Sequence, residues 1–165
     1  MQKRSLILLR LVTFFSATAF TPRAEKFPWL NLSDLKVKLK EQHKPILIDV
    51  YTDWCHWCKV MDDKTYTNQK VINYLNDHYY SVKVNAESRD SVSWKEKWFA
   101  YNAKYKINDF ALYLTNGQPG FPTTVIIPDE NSAPIPIPGY LEPKELEIIV
   151  KYFGEGAYKR QTFPE

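Results

Sequence analysis

The chain has 165 residues and only two cysteines, Cys55 and Cys58. A disulfide framework of the kind that staples small secreted domains is therefore excluded. No cysteine follows the apolar N-terminal run, so the sequence offers no attachment point for a bacterial lipid anchor. Acidic residues are missing from the first 19 positions, where Lys3, Arg4 and Arg10 account for the whole formal charge of +3. The rest of the chain is balanced, which removes any bulk electrostatic case for binding nucleic acid or an anionic membrane. Beyond the N-terminus no run approaches the roughly 20 apolar residues that a membrane span requires. Nor does a second cysteine pair or a histidine cluster complete a four-ligand zinc site, with three histidines in all.

What is present begins with an export-type leader. A basic start at Lys3 and Arg4 precedes the apolar stretch Leu6 to Phe15. Small residues follow at Ala17 and Ala19, predicting cleavage after Ala19. Arg10 interrupts the run, so an amphipathic helix or an uncleaved anchor is the competing reading. The expected organisation is a signal peptide at 1–19, an extended lead-in at 20–31, a folded domain at 32–153 and a C-terminal tail at 154–165.

Within the domain, Asn31 or Ser33 caps a first helix carrying Leu32, Leu35 and Leu39. Ile46 to Tyr51 reads as a short buried strand. A helix follows the two cysteines through about Tyr66, and Asn68 caps another with Val71, Ile72 and Leu75 inward. Tyr79 to Val84 alternates as a strand. Glu87 to Lys106 fits a helical stripe of Trp94, Trp98, Tyr101 and Tyr105, or a hairpin; the hairpin-like insertion is the expectation, with Trp94, Trp98 and Tyr101 as its core and a partner-docking surface as the alternative. Asn108 caps a short helix closed by Gly117. Thr123 to Ile127 is a strong strand. Ile135, Ile137 and Tyr140 alternate on a partner whose prolines suit a sheet edge. Glu142 and Pro143 start a last helix ending at Gly154. This order predicts an α/β fold, a central mixed sheet flanked by helices.

The cysteines stand three positions apart between a strand and a helix. A bridge across so short a loop removes little unfolded-state entropy and is a poor staple. At a helix N-terminus, however, unpaired backbone N–H groups and the positive end of the helix dipole favour the reactive thiolate. Redox activity is the leading reading; a buried inert pair beside Trp54 and Trp57 stays open.

The run from Pro45 to Lys59, containing Asp49, Trp54, Cys55, His56, Trp57 and Cys58, resembles the active-site strand and helix of thioredoxins. It is closer to the C-terminal thioredoxin-like domain of DsbD, and Met61 to Tyr66 is similar to that branch's continuation. Phe121-Pro122-Thr123-Thr124 resembles the family's cis-proline loop. The likeness spans about Leu32 to Phe153, with an insertion at about 86–107 before that loop. It implies a thioredoxin fold and a thiol–disulfide oxidoreductase. Cys55, as the more exposed sulfur, attacks a partner disulfide, and Cys58 resolves the mixed disulfide. Asp49 is a buried carboxylate relaying a proton to or from Cys58, and Asp62 matches a second acidic position of that branch, a proton-relay candidate with a solvated helix-surface Asp as the competing reading. Trp54, His56, Trp57, Phe121 and Pro122 make up the substrate-contact set.

No cofactor beyond the Cys55–Cys58 disulfide is implied. The implied partners are protein thiols and disulfides plus an upstream electron donor, with the protein monomeric and periplasmic or otherwise exported. A reductant is the favoured direction. Oxidase or isomerase activity, a non-catalytic binding module and a copper-handling dithiol are the alternatives.

Overall fold

The computed structural model describes residues 27–163. The leader and most of the lead-in lie outside the described residues. The elements are α1 (Leu32–Glu41), β1 (Ile46–Tyr51), α2 (His56–Lys64), α3 (Gln69–His78) and β2 (Tyr80–Asn85). Four short strands follow: β3 (Val92–Trp94), β4 (Lys97–Phe99), β5 (Tyr101–Asn102) and β6 (Ile107–Asn108). The chain continues with α4 (Asp109–Leu114), β7 (Thr123–Ile127), β8 (Ile135–Pro138) and α5 (Pro143–Gly154).

The main sheet has the order β2-β1-β7-β8. β1 runs parallel to β2 and antiparallel to β7, which is antiparallel to β8. β8 is an edge strand, as its prolines require, because each removes a ladder donor. β1 is buried on both faces, so its run is continuously apolar except for Asp49. Pleating sends Ile46, Ile48 and Val50 into one core with Leu35, Phe110 and Leu114. Leu47 enters the opposite core with Met61, Leu75, Leu146 and Val150. Asp49 shares the parity of Leu47 and therefore lies on the α2 side of the sheet.

Asparagine side chains cap three helices by accepting backbone N–H bonds: Asn31 from Asp34, Asn68 from Lys70 and Asn108 from Phe110. Glu142 and Glu145 form a capping box around Pro143. The lead-in is tied down where it is described: Leu30 bridges Val82, and Trp29 packs edge-on to Tyr66 at 4.6 Å. At the other end the segment read as a tail folds back, with Phe163 against Tyr152 and the Tyr158 hydroxyl donating to Asp129.

Three expectations change. The segment from 86 to 107 is a hairpin excursion, yet only Trp94 of its tryptophans is core; Trp98 is 76% exposed. Their spacing across a tight turn puts them on opposite strands at positions with different burial. The helix after the cysteines stops at Lys64, short of Tyr66. Tyr140 is not on β8, because Gly139 (φ +100) turns the chain after Pro138. The Gly139 N–H instead donates to the Pro122 carbonyl at 2.8 Å.

Candidate active site

The turn after β1 delivers Cys55 as the N-cap of α2. Its sulfur accepts the Cys58 backbone N–H at 3.1 Å, so an orphan helix donor is aimed at it. The two cysteines form a disulfide with Cα atoms 5.3 Å apart. The resemblance implied that Cys55 would be the more exposed. As whole residues they hardly differ, at 4% and 3% exposure. Trp54 and Trp57, their neighbours in the chain, are 67% and 54% exposed. What separates the two in the structure is helix position, Cys55 capping α2 and Cys58 lying in its first turn.

Trp54 is held by two contacts. Its indole N–H donates to Glu87 Oε1 at 3.1 Å, and its ring stands edge-on to Phe121 at 6.1 Å. Phe121 precedes Pro122 across a cis peptide bond, as the sequence motif implied. The loop before β7 and the Trp54 side of the dithiol therefore come together. Trp57 lies between His56 (5.7 Å) and Tyr140 (5.4 Å), which arrives from the turn after β8.

Asp49 is 1% exposed and lies in register with Lys83 of β2 and Thr124 of β7. Burial raises its pKa to about 7; Lys83 opposes that rise and the Asp62 charge adds to it. The Lys83 ammonium lies 3.4 Å from Asp49 Oδ2 and 2.6 Å from Asp62 Oδ2. It also sits over the Tyr51 ring at 4.7 Å and the Trp29 ring at 5.5 Å. One cation is thus shared by two carboxylates inside an aromatic frame. The second Asp49 oxygen, the Tyr66 hydroxyl and the Thr124 hydroxyl are buried without a partner among the described residues. Burial pushes the Tyr66 phenol far above its ordinary value, with the Asp49 charge adding to the effect.

The structure thus gathers Trp54, Cys55, His56, Trp57, Cys58 and Asp62 on α2 and the turn before it, brings Phe121 against Trp54 from the loop before β7, and buries Asp49 on the α2 side of the sheet. Sequence reasoning missed Lys83, Glu87 and Tyr140. Lys83 left a faint signal, since strand alternation puts it on the Asp49 parity, but only the β1–β2 register pairs the two. Glu87 and Tyr140 lie in turns, where no periodicity marks them. Among the described residues no group of three His, Cys, Asp or Glu side chains is placed to hold a metal ion.

A mixed sheet with a CXXC disulfide capping the helix after its central strand, faced by a cis-proline loop, defines a thioredoxin-fold protein. The chain belongs to the family described as Thioredox_DsbH, protein of unknown function, DUF255, whose model matches residues 19–152. Over 90 residues it is 26% identical to the disulfide bond reductase DsbH of Chlamydia pneumoniae, covering 53% of this chain and 54% of that protein. It is 34% identical over 74 residues to spermatogenesis-associated protein 20 of Homo sapiens, covering 45% of this chain and 9% of that much longer protein. The solved structure titled DsbH Oxidoreductase superposes with a TM-score of 0.55 at 18% identity, over 87% of this chain and 95% of that one. The chain spans less than a tenth of the length of the first curated relatives it matches.

Proposed function

We propose that the protein is a thiol–disulfide oxidoreductase that reduces protein disulfides through Cys55 and Cys58. The observation that carries this is the dithiol at the N-terminus of α2, backed on the sheet by a buried carboxyl whose pKa lies near neutrality. In the reduced protein the helix N-terminus favours a Cys55 thiolate. That thiolate attacks a substrate disulfide, forming a mixed disulfide and expelling one substrate thiolate. Asp49 takes the Cys58 proton, and the Cys58 thiolate attacks the Cys55 sulfur. The Cys55–Cys58 disulfide forms and the second substrate thiolate leaves. Two electrons pass to the substrate, whose thiolates take up protons. An external dithiol must then return the pair to its reduced state.

Lys83 and Asp62 set the charge around Asp49 during this step. Trp54, His56, Trp57, Phe121 and Pro122 form the surface met by the substrate chain. The domain takes residues 32–153, preceded by an export signal at 1–19. The leader pattern at Lys3, Arg4, Ala17 and Ala19 supports placement in the periplasm or another exported compartment. Among the described residues no helix is long and apolar enough to cross a membrane.

Insulin reduction in the presence of dithiothreitol tests the activity. Wild type should accelerate precipitation of the insulin B chain, and Cys55→Ser should run at the rate of dithiothreitol alone. Equal rates for both proteins would remove the enzymatic reading. Equilibration against glutathione tests direction: a potential near the thioredoxin value of roughly −270 mV supports a reductant. One near the DsbA value of roughly −120 mV reverses the assignment to oxidase.

A further inference from the structure

At the end of the sheet opposite the dithiol lies an open pocket of about 830 Å³. Its floor is the start of β1 and the end of β7, where Ile46 pairs with Ile127, flanked by Leu39, Pro45, Trp94 and Pro128. The six residues of β1, at about 3.3 Å each, separate this floor from the turn that carries the cysteines. Four parts of the chain raise the walls: the end of α1, the β3–β4 turn, the loop after β7 and Lys159 near the C-terminus.

Charge on these walls is lopsided, with five lysines against three carboxylates. Two of the carboxylates are answered locally. Glu130 lies 3.6 Å from His43 Nδ1. Asp129 accepts the Tyr158 hydroxyl at 3.1 Å and the Asn131 backbone N–H at 3.0 Å. The lysines are not answered in kind: among the described residues none of the five is ion-paired with a carboxylate. Lys44 donates to the Asp77 carbonyl at 2.7 Å and Lys95 to the Ser132 carbonyl at 3.3 Å. Lys36 and Lys40 stand one turn apart on the same face of α1. The β3–β4 turn adds an independent sign. Lys95 and Glu96 hold left-handed backbone, φ 46° and 64°, where Asn-Gly would sit with less strain. Strain of this kind gathers at ligand clamps, and here it sets two charged side chains on the pocket rim.

We propose that this pocket binds a small organic anion, an apolar chain or ring ending in one carboxylate. The headgroup lies among the lysines and the body on the apolar floor. The uncompensated cations select the sign of the ligand. The size selects a small molecule, since cavities of roughly 300–1,000 Å³ are those that enclose one. Burial of the apolar body against Leu39, Ile46 and Ile127 supplies the rest of the affinity.

Methyl spectra of the full chain, ¹³C-labelled at isoleucine and leucine, test this with decanoate as the probe. The Leu39, Ile46 and Ile127 signals should shift saturably, while the exposed Ile148 of α5 stays in place. Acetate offers the headgroup alone, and decyltrimethylammonium reverses the charge on the same chain; both should leave the three signals unmoved. Lys36→Glu with Lys40→Glu should weaken decanoate binding about tenfold, with the spectrum of the free protein retained. Lys95→Glu, on another wall, should weaken it about threefold. No saturable shift with decanoate, equal shifts with decyltrimethylammonium, or unchanged affinity in both variants would overturn the assignment. Co-sedimentation with phosphatidylglycerol vesicles in the absence of a decanoate shift would also overturn it, replacing the small ligand by a membrane surface.

Discussion

The strand–helix unit β1–α2 and the insertion from 86 to 107 meet at Trp54 but obey different rules. β1–α2 sits at the centre of the sheet, and its buried polar chemistry is confined to one carboxyl answered by one lysine. The insertion adds only two- and three-residue strands, paired within the excursion rather than to the main sheet. It holds its place through Trp94, Phe99 and Ile107, packed with Phe110 and its neighbours. The first region is organised by the main-sheet ladder, whereas the second pairs only within itself and is moored to the body largely by side chains packed in the core. A fold therefore keeps its reacting groups on a rigid ladder and builds the adjoining surface from a segment whose order is tertiary in origin.

That comparison is broken most severely at Trp94. Trp94→Ala should cost about 3–5 kcal/mol of stability, whereas Trp98→Ala should stay within about 0.5 kcal/mol. Denaturant unfolding of both variants checks this, and equal losses would show that the insertion is not moored through Trp94.

The next effect is at Asp49 and has the opposite sign. Its pKa is about 7 in the folded protein against 3.8 as an isolated side chain. The folded state therefore binds the proton more tightly between those values, and stability falls as pH rises through that window. The penalty is absent below about pH 4 and complete above about pH 7, roughly 4 kcal/mol at most. Asp49→Asn should be more stable than wild type at pH 8, and the gain should vanish near pH 4. Unfolding curves across that range measure it; a gain independent of pH would remove the buried-carboxyl account.

Lys83→Met sharpens the contrast within the dithiol region. Removing the shared cation should raise the Asp49 pKa by about one unit or more, visible in the carboxyl signals of ¹³C-labelled aspartate. An unmoved Asp49 would mean that the lysine serves Asp62 alone.

The smallest effect belongs to the insertion turn. Lys95 and Glu96 both have positive φ, 46° and 64°, in a two-residue hairpin loop. Replacing them together with Asn-Gly should stabilise the protein by about 1 kcal/mol, read as a shift in the denaturation midpoint with activity unchanged.

Much of the scaffold was legible because its signals are local. The β1 run, the asparagine caps before Leu32, Gln69 and Asp109, and the proline-rich edge strand each announce themselves within a few residues. The insertion was harder because its turn carries Lys-Glu where Asn-Gly would have signalled a hairpin. Its tryptophans fit two periods equally well, so their burial could not be divided between Trp94 and Trp98 by pattern. The β8 strand was overextended to Tyr140 although the period of two breaks after Ile137, with Gly139 standing where the next inward residue would fall and the chain turning there. For the candidate site, spacing supplied the dithiol, the family resemblance supplied the cis-proline motif, and the place of Asp49 inside an apolar run supplied its buried position.

By itself the sequence determined the strand–dithiol–helix order, the cysteine pair at a helix start and the caps that bound the helices. These follow from backbone geometry and helix-end hydrogen bonding, which act over a turn or two of chain. Only the tertiary structure decided which partners those groups meet. Lys83 reaches Asp49 through the β1–β2 register, Glu87 holds Trp54 across the start of the insertion, and Tyr140 covers Trp57 because Gly139 redirects the chain. Each is a contact between residues more than 30 positions apart. Such contacts are fixed by packing and register, which no local period encodes.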